Sequence, residues 1–260
     1  MICRTTFLTR GLNMSESETE QKTRSPTANH FVGFIDIMGF KNWVARSLHD
    51  EIYCKMREIV DYLKDQELPR LIPDSTPRAQ INSQFITPII FSDSIMLFSV
   101  DDSCHSAEEI QITMSNLATL LIEFGIPHKG ALAFGKMTLD YENSIFFGQP
   151  MIDAYLLQEE LAMYGIVVHS SAEKKLSGIS SYPHTTYLYD YPCPFKDGNA
   201  RHFIIPPLYC SKQYNGTDGQ AAFVSEFKKF RHTTSGHIRK YLDNTEAYLK
   251  AYNPDLNFDV

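Results

Sequence analysis

Phe31-Val32-Gly33-Phe34-Ile35-Asp36-Ile37-Met38-Gly39-Phe40-Lys41 decides how the rest of this 260-residue chain is read. Five of its first seven residues are large and apolar, which predicts a buried strand. Asp36 interrupts that run near its end. Met38-Gly39 then predicts a turn, and Phe40 to about His49 a helix. A strand that ends in a carboxylate and turns through glycine into a helix sets an oxygen ligand for a cation beside unpaired backbone N–H groups that suit a phosphate. A second carboxylate close by completes a metal–triphosphate site.

Upstream, Met1 to Asn13 carries two arginines and no acid but lacks the apolar core of a signal sequence. Residues 1–29 read as a disordered leader, with Met14 an alternative start. Downstream, Asp50 caps a helix with Ile52, Met56, Ile59, Val60 and Leu63 at spacings of three and four. Pro69, Pro73 and Pro77 mark a loop. Strands are predicted over Gln80–Ile90 and Ile95–Val100, joined as a hairpin by Phe91-Ser92-Asp93-Ser94. Ser106-Ala107-Glu108-Glu109 reads as a capping box launching a helix to about Phe124. Strands follow at His128–Phe134 and Ser144–Gly148, a helix over Pro150–Met163, a strand at Ile166–His169 and a short helix at Ser171–Leu176. Thr185–Tyr191 and Arg201–Ile205 read as strands, and Phe223–Tyr252 contains a long amphipathic helix with Arg231-His232 and Arg239-Lys240 on its wet face.

That order predicts an α+β fold of the ferredoxin-like, split-βαβ class, its helices segregated to one face of an antiparallel sheet. The catalytic part spans 30–180, and 181–260 forms a C-terminal extension packed on the same domain. A net charge of −7 argues against a nucleic-acid or membrane-surface binder. No run is long enough to span a bilayer. Five scattered cysteines read as reduced thiols of a cytoplasmic protein, and Asn215-Gly216-Thr217 as a turn rather than a glycosylation site.

Asp93, in the hairpin tip, is the second carboxylate. With the first strand central in the sheet and next to the strand that follows its helices, Asp36 and Asp93 meet. Alone, Asp93 reads as a turn former, whereas an unpaired acid inside an apolar strand is costly. Facing carboxylates repel unless a cation lies between them. Hard divalent ions take such oxygens together with substrate phosphates, which predicts Mg²⁺ or Mn²⁺ with a nucleoside triphosphate, two ions about 3.5–4 Å apart.

Phe34-x-Asp36-x-x-Gly39-Phe40, the Ser92-Asp93 hairpin and Phe147-Gly148-x-x-x-x-Asp153-Ala154 resemble class III nucleotide cyclases over roughly Phe31 to Ala172. The resemblance implies Asp36, Ile37 and Asp93 as metal ligands, the backbone of Ile37 to Phe40 as the phosphate cradle, and a head-to-tail homodimer with sites at the subunit interface. Where the purine cyclases of that family carry an adenine-reading Lys, this chain has Ile89. Where they carry a transition-state Asn and Arg, it has Ile152 and Leu156. Lys129-Gly130-Ala131-Leu132-Ala133-Phe134-Gly135, Gly39-Phe40-Lys41 and Asp153-Ala154-Tyr155 resemble a narrower branch, the bacterial pyrimidine cyclases of the Pycsar antiphage system. That branch implies UTP or CTP as substrate, cyclic UMP or cyclic CMP as product, and a separate effector protein that the product activates.

Around this site, Lys129 is a candidate catalytic cation, with an exposed strand lysine as its ordinary alternative. Met38, Gly39, Phe40 and Lys41 are candidates for the triphosphate, and Ile89, Phe91 and Tyr155 for the base. A core position is the ordinary reading of Phe91 and Tyr155, a surface position that of Lys41. Ser92 and Ser94 lie within reach of the metals, although turn chemistry accounts for them equally. His128 and His169 read as structural, since the histidines show no metal-ligand spacing. A purine cyclase, or an inactive cyclase-like nucleotide sensor, is the alternative reading of the same residues.

Overall fold

A computed structural model describes residues 26–65, 86–178, 188–210 and 217–258. The leader up to residue 25, the proline loop, the first part of the Gln80 strand, the start of the Thr185 strand and the Asn215-Gly216 turn lie outside the described residues. The opening stretch forms β1 (Thr27–Ile37), followed by α1 (Phe40–Arg46) and α2 (His49–Asp65). The hairpin β2 (Ile86–Phe91) and β3 (Ser94–Ser99) leads to α3 (Cys104–Glu123) and β4 (His128–Asp140). Then come β5 (Ile145–Gly148), α4 (Gln149–Glu160), β6 (Gly165–Val168), α5 (Ser170–Ser177), β7 (Tyr189–Phe195), β8 (Gly198–Ile205), α6 (Thr217–Thr233) and α7 (Arg239–Tyr252).

The strands form one sheet in the order β2-β3-β1-β4-β6-β8-β7, with β5 paired to the far end of β4. Its first four strands, β2-β3-β1-β4, have the split-βαβ arrangement, and the fold is α+β. The neighbour of β1 is β3 rather than the strand directly after the helices, because the second arm of the hairpin inserts between β1 and β2. The strands after residue 180 continue the same sheet through β6 and β8.

Helices cover both faces, contrary to the one-sided expectation. On one face Phe31, Ile35 and Ile37 of β1 join Ile95, Leu97 and Leu132 in a core with Ile59 and Tyr62 of α2 and Ile110, Met114 and Leu117 of α3. That packing is close at Gly33, where a Cβ would lie 2.8 Å from the Met114 sulfur. On the other face Phe34, Ala131, Ala133 and Val167 meet Ala154 of α4, and this core continues into Phe223 and Phe227 of α6 and Leu242 and Tyr248 of α7. The two alanines of β4 explain why a helix fits there. Small side chains let α4 approach through its Pro150, Ala154 and Gln158 stripe, all buried, which turns Ile152, Tyr155 and Leu156 outward.

Several predicted boundaries move for local reasons. The α3 cap is Ser103, whose side chain accepts from the Ser106 N–H, so Ser106 lies in the first turn instead of capping it. The long C-terminal helix is two helices, interrupted at Thr234-Ser235-Gly236, with Gly236 left-handed. Arg231 and Arg239 hold that break together. Arg231 pairs with Asp243 at 2.8 Å and Glu246 at 2.6 Å of α7, while Arg239 donates to the Thr234 and Arg231 carbonyls. They clamp the two helices together on a face that stays open to solvent, where His232, Arg239 and Lys240 are exposed. Among the described residues the cysteines are free thiols, and no helix is long and apolar enough to cross a membrane.

Candidate active site

Register places the site. Asp36 lies opposite Ser94 of β3 on one side and opposite Lys129 of β4 on the other. Ser94 is in turn opposite Phe91 of β2. Directly opposed residues share a face, so Phe91, Ser94, Asp36 and Lys129 form one transverse row on the α4 side of the sheet. The hairpin turns at Ser92-Asp93, with Ser92 left-handed at φ 57°. The Ile37 N–H donates to the Asp93 carbonyl at 2.8 Å and pins this tip to the end of β1. Asp36 and Asp93 thus sit together, as the sequence predicts, although through β3.

Electrostatics agree with that proximity. The Asp36 carboxyl is pushed up to about 6, by burial first and by the charge of Asp93 second, with Lys129 opposing the rise and Glu159 adding to it. Asp36 accepts no hydrogen bond from any described residue. A carboxylate both desolvated and repelled by a neighbour fits a cation, because a divalent ion between the two removes the repulsion and supplies the missing counter-charge. Among the described residues no cluster of three or more His, Cys, Asp or Glu side chains could hold a metal. A cation placed here would meet two carboxylates of the protein, Asp36 and Asp93, a number compatible with Mg²⁺ sites that draw their other ligands from substrate or water. Ile37, apolar in its side chain, has only its main-chain carbonyl to add.

The turn after β1 is narrower as an anion cradle than predicted. Met38 donates its N–H to the Pro127 carbonyl at 2.8 Å, and the Ile37 N–H is committed to Asp93. The N–H groups of Gly39, Phe40 and Lys41 have no partner among the described residues, so they alone are open. Gly39 adopts φ 76°, ψ 13°, the left-handed region that turns the chain into α1. Lys41 is exposed beside them.

Lys129 departs from the exposed-lysine alternative, being only 3% exposed. Its ammonium donates to the Glu159 carbonyl at 3.3 Å and lies 5.9 Å from the Tyr241 ring. Burial lowers its proton affinity, with the Glu159 carboxylate as the main opposing influence. Glu159, Lys196 (3.8 Å from Glu159) and Tyr241 are neighbours that sequence reading missed. They come from α4, the β7–β8 turn and α7, and no local motif links them.

The base candidates spread out. Ile89 shares the α4 face with Phe91 but packs against the small cluster of Val32, Phe98, Met137 and Leu139. Phe91 is 76% exposed at the hairpin, not a core residue. Tyr155 is half exposed on α4, its ring edge-on to Phe34 at 5.6 Å. His128 is buried and held down to about 4 by that burial, so it is neutral at ordinary pH. His169 caps α5, its Nδ1 accepting from the Ser171 N–H.

The molecule so far is an α+β protein with a split-βαβ core and a two-carboxylate site at the end of its central strand. No family model and no curated protein matches the chain. Among solved structures it is similar to the catalytic core of a rhodopsin-guanylyl cyclase with converted specificity in complex with ATPαS, at 13% identity over 69% of this chain and 96% of that one, TM-score 0.45. It is also similar to an adenylate/guanylate cyclase/hydrolase from Silicibacter pomeroyi, at 14% identity over 70% and 98%, TM-score 0.40. A class III adenylyl cyclase-like ATP-binding protein from Pseudomonas aeruginosa matches at 16% identity over 57% of this chain and 35% of its own length, TM-score 0.38. At these scores the likeness is loose, and it adds no residue to the site.

Proposed function

We propose that this chain is a divalent-metal-dependent nucleotide cyclase that converts UTP or CTP to the cyclic monophosphate and pyrophosphate. The observation that carries the proposal is the paired carboxylate of Asp36 and Asp93 beside the open amides of Gly39 to Lys41. Asp36 and Asp93, with the Ile37 carbonyl, would hold two Mg²⁺ or Mn²⁺ ions. When bound, these ions acidify the ribose 3′-hydroxyl and neutralise the leaving pyrophosphate. The amides of Gly39, Phe40 and Lys41, with the Lys41 ammonium, orient the triphosphate so that the 3′-hydroxyl lies in line with its own α-phosphorus. Lys129, behind Asp36, supplies fixed positive charge in a water-poor setting, where it acts most strongly on developing negative charge.

The pyrimidine assignment is supported by an apolar Ile89 where a purine-reading lysine is absent, and by Phe91 and Tyr155 as flat surfaces for a small base. The exposed apolar residues Ile145 and Phe147 of β5 and Ile152, Tyr155 and Leu156 of α4, the helix that follows β5 directly, support a homodimer, since exposed apolar surface favours interaction sites. The cyclic nucleotide would then act on a separate effector. Incubation of the purified protein with each of the four ribonucleoside triphosphates and Mn²⁺, with products identified by mass, tests this. Cyclic UMP or cyclic CMP is expected. Cyclic AMP or cyclic GMP as the main product refutes the pyrimidine assignment, and no cyclic product from any of the four refutes the enzyme.

A further inference from the structure

We infer that Tyr241 of α7 is a positioning residue for Lys129, its ring holding the buried ammonium in place behind Asp36. The inference rests on the cyclase reading above, in which Lys129 supplies charge to the reaction. The Lys129 side chain is held from α4 and from α7. On α4 its ammonium donates to the Glu159 carbonyl at 3.3 Å. That carbonyl belongs to the last turn of the helix, where unpaired carbonyls favour a cation. On α7 the ammonium lies over the Tyr241 ring, 5.9 Å from its centroid. A cation within about 6 Å of a ring centroid is drawn to the negative face of the ring, most strongly where water is excluded. Lys129 is buried, so that condition is met.

Tyr241 is itself fixed. Its ring packs on the buried Tyr164 ring at 6.0 Å, and Tyr164 stands edge-on to Phe230 of α6 at 6.1 Å. The Tyr164 N–H donates to the Thr245 hydroxyl at 2.8 Å, and that hydroxyl donates to the Tyr241 carbonyl at 2.7 Å. Asn244 adds a bond to the Ala162 carbonyl at 2.8 Å. The helix thus docks on the segment just before Gly165, the register partner of Lys129 on β6. A lysine side chain loses much rotamer freedom when its head is placed, and a ring held this firmly restricts where the head can go. The last helix of the chain, outside the split-βαβ core, reaches the site in this way. Tyr241 acts through Lys129 and contacts no substrate.

Turnover with Mn²⁺ and the preferred nucleotide tests this on wild type, Lys129→Met, Tyr241→Leu, Tyr241→Phe and the Lys129→Met/Tyr241→Leu double variant, with circular dichroism to verify each fold. Tyr241→Leu keeps an apolar side chain but loses the ring, and kcat is expected to fall about 10- to 100-fold with the nucleotide KM unchanged. Tyr241→Phe keeps the ring and is expected to recover most of that loss. In the Lys129→Met background, Tyr241→Leu is expected to change kcat by less than about twofold, since its partner is gone. A folded Tyr241→Leu variant with wild-type kcat overturns the role. So does a Phe variant no better than Leu, or a Leu effect of equal size with and without Lys129. If Tyr241→Leu does not fold, NMR of lysine labelled at Cε decides, the Lys129 signal being the one lost in Lys129→Met. Ring-current displacement of that signal in wild type and Tyr241→Phe supports the role, and a signal at the position of exposed lysines overturns it. A wild type that forms no cyclic product overturns the enzyme reading, and a Lys129→Met variant as active as wild type overturns the part given to Lys129. Tyr241 loses its role with either.

Discussion

At the residue scale, the clearest physical signature is a carboxyl group held in a place that disfavours its charge. The native state of the metal-free protein binds the Asp36 proton more tightly than the unfolded chain, with a native value of about 6. Stability therefore falls as pH climbs from about 4 to 6 and is flat above. Discounting for partial exposure, the strain amounts to about 1–2 kcal/mol. Asp36→Asn removes it, so this variant is expected to melt a few degrees higher than wild type at pH 7.5 without metal, while losing turnover. Scanning calorimetry with and without Mn²⁺ checks both sides: Mn²⁺ raises the wild-type Tm and leaves that of the Asn variant unmoved. A second group behaves alike away from the site. Burial, with Glu226 as the lesser cause, pushes Glu123 at the end of α3 up to about 7, and its Oε1 has no partner in the buried interior. Stability then falls from about pH 4.5 to 7, and Glu123→Gln is expected to flatten that slope and add about 2–3 kcal/mol at pH 8. Denaturant titrations across pH read it directly, and turnover should be unaffected.

At the element scale, the strand–turn–helix around Asp36 and Gly39 was legible because composition and backbone chemistry agree there. An apolar run demands burial, and the turn at φ 76° demands glycine. Gly39→Ala is expected to cost about 1 kcal/mol in stability and to raise the nucleotide KM more than it lowers kcat, since the open amides shift together. Other elements were misread where a second residue overrides the local pattern. Ser106 has the look of a cap, but Ser103 lies one turn earlier and Asp101 takes the Ser106 hydroxyl at 2.7 Å. The apolar spacing from Phe227 through Leu249 continues across Gly236, which concealed the break between α6 and α7. The Arg231 clamp across that break pairs half-exposed side chains, so Arg231→Ala is expected to cost only about 1 kcal/mol. A fall of a few degrees in Tm with cyclase activity intact is the result that calorimetry and assay should give.

At the scale of the whole molecule, the sheet order accounts for what sequence could and could not reach. The pairing of Asp36 with Asp93 was visible because the split-βαβ order alone brings a hairpin tip to the end of the central strand. The burial of Lys129 was not, since it depends on Glu159, Tyr241 and Lys196 arriving from elements 30 to 112 residues away in the chain. The placing of α4 was equally hidden. It follows from Ala131 and Ala133, whose small size reads in sequence as nothing more than a permissive strand. The apolar residues that α4 and β5 turn outward give the proposed dimer its surface, and Leu156→Glu is expected to shift sedimentation from dimer to monomer and lower activity at least tenfold. The most direct test of the central claim compares turnover by wild type, Asp36→Ala and Asp93→Ala with Mn²⁺ and the preferred nucleotide, with circular dichroism to verify the fold. Both variants are expected to keep the wild-type spectrum and to lose cyclic product by at least a thousandfold, about 4 kcal/mol of transition-state stabilisation. A folded variant of either residue that still cyclises at near wild-type rate would contradict the two-carboxylate site.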